Sequence, residues 1–420
     1  MANTIQLKRS SVSGAVPSAG SLTEGELALN TADGKVFAKK TDGTVVEIGG
    51  GGAGGISTGT IVRAASRNAL SGEYLPCGGQ TVNASTYPNL VPLLPKYYAP
   101  SAPYFGMSAV SNYQDIAYGD GNYVVITYGS SVVWTSPDGI VWTQRAMPAS
   151  RNWISLDVAS FVEYQGGGVY ANVTRFVAVA TGTNIIAYSD DYGVTWTEAT
   201  FGWNTAFNAG WSKLRWVLNR FEICQTATNN NLHMVSGNGK YFDPTSLPEQ
   251  VSWQNFCSFG NKAVILSNGS RAGYRTATTG WTTYGLPVSA NWSNVATDGS
   301  RFVAVSNGNK YCMVSEDGLN WEVGYMPRSL AYQHLIYADG EFYVTGNTNY
   351  FYNSRDGLNW QENYFAQSRN TKVSYWSGTS YNVLGYGTSN TIAGGRATPD
   401  SNYIKMPWFD NEQRTPFIKA

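Results

Sequence analysis

Long apolar runs are missing from this 420-residue sequence. None reaches the roughly 18 residues that a membrane-crossing helix needs, so membrane insertion is not expected. The opening MANTIQLKRSS lacks the apolar stretch of a secretory leader. Charge is scarce and balanced, with 28 basic against 28 acidic residues. No nucleic-acid partner is expected, because that would demand a clustered basic surface. His233 and His334 are the only histidines, distant from each other and without a partner motif, and read as structural or surface residues. The four cysteines, Cys77, Cys224, Cys257 and Cys312, show no Cys-x-x-Cys spacing. They fit reduced thiols in buried strands and a chain made in a reducing cytoplasm. No phosphate-binding loop occurs. The run GGGGAGG (49–55) has no Lys-Ser/Thr after it and reads as a flexible linker. No metal and no cofactor is expected.

What is present is glycine (46 residues) and aromatic side chains (14%), a combination that favours short strands joined by tight turns, hence an all-β fold. The segment before the linker, 1–48, reads as hairpins around ADGK and TDGT. Beyond it, the motifs SPDGIVW (136–142), SDDYGVTW (189–196), SEDGLNW (315–321) and SRDGLNW (354–360) recur, the last two 39 residues apart. SGNGKYF (236–242) is a degenerate copy, and TATTGWT (276–282) a weaker one. Around each motif four short strands fit into about 40 residues, which is the signature of a β-propeller blade. Units starting near 113, 152, 211, 252, 290, 329 and 370 predict seven blades, the second enlarged by an insertion at EYQGGGVYAN. The seventh lacks a fourth strand. PYFGMSAV (103–110) is expected to supply it and so close the ring.

The recurring motif resembles the Asp-box of sialidase-type propellers. Its residues are Ser136, Asp138, Gly139 and Trp142; Ser189, Asp191, Gly193 and Trp196; Ser315, Asp317, Gly318 and Trp321; and Ser354, Asp356, Gly357 and Trp360. A short acidic side chain can accept backbone N–H bonds inside a turn, glycine adopts positive φ, and tryptophan anchors the following strand. Repetition around a ring with one axis makes these residues scaffold rather than active site. The resemblance would imply further sialidase features, but Arg-Ile-Pro is absent and no arginine triad is identifiable. A glycosidase needs two carboxylates. The conspicuous ones, Asp120, Asp138, Asp298, Asp317, Asp339 and Asp356, belong to turns. The chain is therefore not expected to be an enzyme.

Both flanks resemble virion modules. The segment 57–102, through Tyr74, Leu75, Cys77, Gly78, Gly79, Tyr87, Pro88 and Leu90, resembles the start of the phage tail-collar domain. The matching remainder stands at the other end, in Ile404, Met406, Pro407, Phe417, Ile418 and Lys419 (398–420), so the propeller (103–397) is expected to be inserted in a small collar-like domain. The N-terminal LKRSS…GELALNTADGKVFAKKTDG resembles the attachment module of phage tail fibres. These resemblances imply a virion tail-fibre or receptor-binding protein, made in the host cytoplasm. It would be a homotrimer, docked by its N-terminus to other tail, baseplate or neck proteins, and would adhere to a host surface glycan or receptor. The alternatives are a tail-spike-like glycan-degrading enzyme or a purely structural neck, collar or baseplate fibre.

Alternation of strand direction puts the Asp-box turns on one face and the inter-blade loops on the other. The second face carries the candidate receptor-binding residues: Arg151, Trp153, Trp203, Asn204, Trp211, Asn291, Trp292, Arg328, Tyr332, Arg369 and Asn370. Aromatic faces with amides and hydroxyls suit a glycan. The competing reading is that the recurrent Asn-Trp packs blade on blade.

Overall fold

The structure is a computed structural model that describes residues 8–48, 61–64, 74–76, 81–94, 96–101, 107, 112–183, 185–201, 210–226, 231–346, 348–365, 370–386, 394–405 and 415–419. Among the described residues, one 3-10 turn at Ala19–Ser21 is the only helical element; the rest of the regular structure is strand. The fold is all-β. The chain divides into two compact bodies, Met1–Pro76 with Gln413–Ala420, and Cys77–Glu412.

The smaller body contains a four-stranded sheet, Lys8–Ser10, Leu27–Asn30, Lys35–Lys39 and Val45–Ile48, in that order. The ADGK and TDGT turns connect its last three strands. Asn30 is buried and caps the entry of the first of these turns: its side-chain oxygen accepts from the Ala32 and Asp33 N–H groups. A second sheet places Thr415–Lys419 between Ile61–Ala64 and Tyr74–Pro76. Segments on either side of the propeller in sequence thus share one sheet.

In the larger body the repeats fold as antiparallel units. Their first strands are Tyr113–Gly119, the second half of Thr143–Gly166, Trp211–Val217, Trp253–Phe259, Asn294–Thr297, Tyr332–Ala338 and Asn370–Trp376. Each packs beside the next, and Asn370–Trp376 packs beside Tyr113–Gly119. The first strands therefore form a closed cycle. The second strands are apolar on both faces, because each sheet is covered on both sides: Phe176–Ala180, Ala263–Leu266 and Phe302–Val305 are fully buried. Several turns between first and second strands are two-residue turns with positive φ, as at Asp120–Gly121 (49° and 79°) and Asp339–Gly340 (49° and 80°).

The closing strand differs from the expected one. Lys96–Ser101, not 103–110, pairs with the third strand of the last unit, with Arg396 opposite Ser101 and Pro399 opposite Tyr98. Tyr98 faces inward on this strand, its ring buried against Tyr343 and Phe351. Of 103–110 only Met107 lies among the described residues, buried in the core under Trp134 and Trp142. The same third strand, Gly394–Lys405, runs on to pair with Thr81–Asn83. Residues 81–101, expected in the collar-like segment, thus belong to the larger body.

Candidate functional site

The repeated turns direct their polar groups at themselves. In the first, Ser136 Oγ accepts from Gly139 N at 2.8 Å, while Asp138 Oδ1 accepts from Ile140 N and Val141 N at 2.7 and 2.8 Å. The copies at 315–321 and 354–360 repeat this, with Asp317 and Asp356 each taking two backbone N–H groups and an Asn side chain. In the longer copy the extra residue, Tyr192, takes φ 60° before Gly193 at 84°. Asp191 then accepts from Thr195 N and Oγ1 at 2.8 and 2.6 Å. Burial opposes ionisation, but these N–H and hydroxyl donors hold Asp138, Asp191 and Asp317 below the usual carboxylate range. The 236–242 copy forms the turn with Asn238 in place of Asp. The 276–282 copy does not form it: Thr276 N donates instead to Thr279 Oγ1 at 2.8 Å.

The aromatic residues assigned to receptor contact are inside. Trp153 and Trp292 are fully buried, as is Tyr332, and Trp211 is buried in the core between the second and third units. This corrects the expectation for all four: their rings pack blade against blade. Trp153 Nε1, Trp292 Nε1 and the Tyr332 hydroxyl donate to the carbonyls of Ala149, Val288 and Arg328, four residues back. Trp253 does the same with Glu249. The sequence signal was an aliphatic-Pro pair five or six residues before the aromatic, in MPASRNW, LPEQVSW, LPVSANW and MPRSLAY, where Met147, Leu247, Leu286 and Met326 are all buried. Arg151 is half-buried and donates to the Ser150 carbonyl, and Asn291 is half-buried beside Trp292. Among the described members of the set Arg328 is the exposed one, paired with Glu362 at 2.5 Å and lying over the Tyr350 ring. Trp203, Asn204 and Arg369 lie outside the described residues. Asn370 begins the first strand of the last unit.

One residue further along the first strands is a different surface. In six of the seven a register shift falls just after the position of Trp153, Trp211, Trp253, Tyr332, Tyr113 or Thr371. A bulge re-aims the side chain it carries. Gln114, Ser212, Gln254, Gln333 and Lys372, each next to such a position, and Ser293, which follows Trp292 without a register shift, line one cavity of about 180 Å³ with Lys213, Asn294, Asn307, Tyr332 and His334; Ile154, the residue next to Trp153, is buried in the core instead. Asn307 comes from a loop between second and third strands, so the cavity lies at the loop-bearing end of the cycle, opposite the Asp-containing turns.

Beneath this mouth is a charged cluster. Asp115, 1% exposed, accepts from Ser155 Oγ at 2.9 Å and Leu156 N at 3.1 Å. Lys213 Nζ and Arg215 Nη1 each stand 3.4 Å from the same carboxylate. Burial alone would raise Asp115, but Lys213, Arg215, His334 and the Leu156 N–H outweigh it and hold its carboxyl well below the usual range. Asp157, buried beside Arg215, is pushed up by burial. Burial brings His334 down to about 4 against the pull of Asp115, with Lys213 and Arg215 adding repulsion. Ser374 N donates to His334 Nδ1 at 3.2 Å, which leaves the proton of the neutral ring on Nε2, 3.7 Å from Asp115. A general base works best with a pKa near the operating pH. Asp115 lies far from that and is already committed to its donors, which suits a fixed polar floor.

On the opposite face, Arg355 beside the sixth turn donates to the Pro92 carbonyl, so the run 81–94 reaches that face. Among the described residues no three His, Cys, Asp or Glu side chains group as metal ligands.

No protein family matches the chain, and no curated protein does. Solved structures do. A streptogramin B lyase aligns at 14% identity with a TM-score of 0.56, covering 72% of this chain and 98% of that one. A virginiamycin B lyase from Staphylococcus aureus aligns at 11% with a TM-score of 0.57, covering 72% and 100%. YCF48 bound to D1 peptide aligns at 16% with a TM-score of 0.50, covering 72% and 98%. At these identities the likeness is one of fold, and the fold is a β-propeller.

Proposed function

We propose that this chain is a receptor-binding tail-fibre protein of a bacteriophage, a seven-bladed propeller that adheres to a host surface glycan without cutting it. The observation that carries the reading is the polar mouth at the loop-bearing end. Six of the seven units contribute to it through Gln114, Ser212, Gln254, Ser293, Gln333 and Lys372, all amide, hydroxyl or cationic, over a floor whose charges already satisfy one another. Such a surface offers donors and acceptors to sugar hydroxyls. The opposite face is occupied by turns whose polar groups are internally bonded and by the run 81–94. The tail-fibre-like N-terminus and the collar-like segments support a virion location and a trimer docked through the N-terminal module.

The test is to incubate the full chain with purified bacterial surface polysaccharides and follow both retention and polymer length. Retention with unchanged length supports adhesion. Release of oligosaccharides, lost in an Asp115→Asn variant, overturns the non-enzymatic reading. Failure to bind any host surface favours a purely structural fibre. Sedimentation of the full chain decides the trimer.

A further inference from the structure

We propose that the axial mouth takes a single carboxylated sugar, a uronate or a nonulosonate, with Lys372 as its ion-pairing residue. This rests on the adhesion reading and specifies the ligand class.

The charge inventory of the site points there. Asp115 and Asp157 below the mouth are matched by Lys213 and Arg215, which sit against them. Lys372 is surplus to this balance. Its Nζ donates to Gln114 Oε1 at 2.9 Å, and among the described residues no carboxylate comes within ion-pairing distance of it. No Asp or Glu lines the cavity. Burial lowers the pKa of Lys372, with no acidic neighbour to oppose it. A half-buried ammonium that has lost part of its hydration without gaining a counter-charge favours an anion beside it.

The remaining lining residues select what carries the anion. Gln114, Gln254, Asn294, Asn307 and Gln333 present amides, which both donate and accept, as ring hydroxyls require. The volume of about 180 Å³ is close to the roughly 150 Å³ of a protein cavity that holds a benzene ring. That accommodates one sugar ring, so the ligand is a terminal or branch residue rather than a chain threaded through. Among the described lining residues Tyr332 is the aromatic one, and its ring is buried in the blade packing, so recognition is by charge and hydrogen bonds, not by stacking.

The test titrates the full chain with D-glucuronate, N-acetylneuraminate, D-glucose and inorganic phosphate by calorimetry or ligand-observed NMR. At least one of the two sugar acids should bind, more weakly as salt rises, while glucose and phosphate bind at least tenfold more weakly. Lys372→Gln should weaken acid binding about tenfold or more with an unchanged melting temperature, and Lys372→Arg should retain most of it. The inference is overturned by equal binding of glucose, by equal binding of phosphate, by binding of neither acid, or by full affinity in Lys372→Gln. If the chain retains a neutral polysaccharide yet binds neither acid, adhesion stands and this inference falls. If it retains no surface polymer at all, the adhesion reading falls with it.

Discussion

The hydroxyl of Tyr375 donates to the carbonyl oxygen of Gly139 at 2.8 Å, across 236 residues of chain. Tyr375 belongs to the last unit of the cycle and Gly139 to the turn of the first, so this bond helps close the ring. The glycine is required twice over. Its φ is 69°, and a Cβ there would lie 2.8 Å from the Tyr375 ring. The same contact recurs along the cycle: a Cβ at Gly193 would meet Val124, at Gly239 Val177, at Gly318 Val264 and at Gly357 Val303, each in the preceding unit. The turn is thus a lock between blades as well as a local device.

Gly139→Ala should therefore cost more than the backbone penalty alone. Positive φ for an L-residue costs about 1–2 kcal/mol, and forced overpacking adds about 1–3 kcal/mol. Gly121, at φ 79° with nothing within 4 Å of its would-be Cβ, is the control and should show only the backbone part. Urea midpoints of Gly139→Ala and Gly121→Ala measure the difference. Equal losses would mean that the contact with Tyr375 contributes nothing.

Asp317→Ala separates scaffold from site. It leaves the Leu319 and Asn320 N–H groups and the Asn320 side chain without their acceptor. Stability should fall by about 1–3 kcal/mol, while polysaccharide retention at a temperature where the variant is folded stays at the wild-type level. Loss of retention in the folded variant would place this turn in a binding site after all.

Much of this architecture was legible, because a propeller repeats its physics every 40 residues or so. Asp-Gly pairs announced hairpins, and the Ser-x-Asp-Gly-x-x-Trp pattern, one residue longer at 189–196, marked where third strands turn into fourth. The side of the cycle offering a polar cavity was legible too, since strand alternation dictates which loops share a face. The residues were not. Trp153, Trp292 and Tyr332 were conspicuous as aromatic rings in variable-looking loops, yet their rings turn inward, and at Tyr332 a bulge presents the plain neighbour Gln333 to the cavity, as Ser293 is presented beside Trp292. A bulge is a register event between two strands and leaves no composition signal. Asp115, Arg215 and His334 meet only because ring closure brings the first, third and sixth units to one axis. Each is unremarkable along the chain. The closing strand was misplaced for a similar reason: Tyr98 on 96–101 packs into an aromatic cluster with residues some 250 positions away, a contact invisible along the chain.

The fourth unit lacks the Asp-containing turn and should depend on a substitute. Arg275, beside the failed turn, reaches back to the third unit. There its guanidinium donates to the Val217 carbonyl at 3.0 Å and to Glu222. Glu222 is fully buried and also accepts from Arg220 Nε at 2.7 Å and Trp281 Nε1 at 3.0 Å. Removing one partner of a buried pair is costly, about 3–5 kcal/mol, whereas replacing both by apolar groups of similar size is far less so. Arg275→Met and Glu222→Leu should each destabilise strongly, and the double variant should lose clearly less than the sum. Additive losses in a double-mutant cycle would show that the pair is not the link between these units.

His334 should set a pH dependence of stability. Its folded pKa, brought down to about 4 by burial, lies below the ordinary value of 6.5. Between these values the unfolded chain binds a proton that the folded chain excludes. Stability linked to this group is therefore fully present above about pH 6.5 and is lost as pH falls toward 4. Glu222, held at about 2 because His233, Arg275 and Arg220 outweigh the opposing effect of burial, adds a second loss below its ordinary 4.5, down to about 2. The two windows barely overlap, so variants can assign them. In His334→Gln the fall in melting temperature between pH 6.5 and 4.5 should become shallower, with the steeper fall below pH 4.5 unchanged. An unchanged slope between pH 6.5 and 4.5 would mean that His334 takes up its proton without unfolding the ring, and that the charged floor beneath the mouth is open to water.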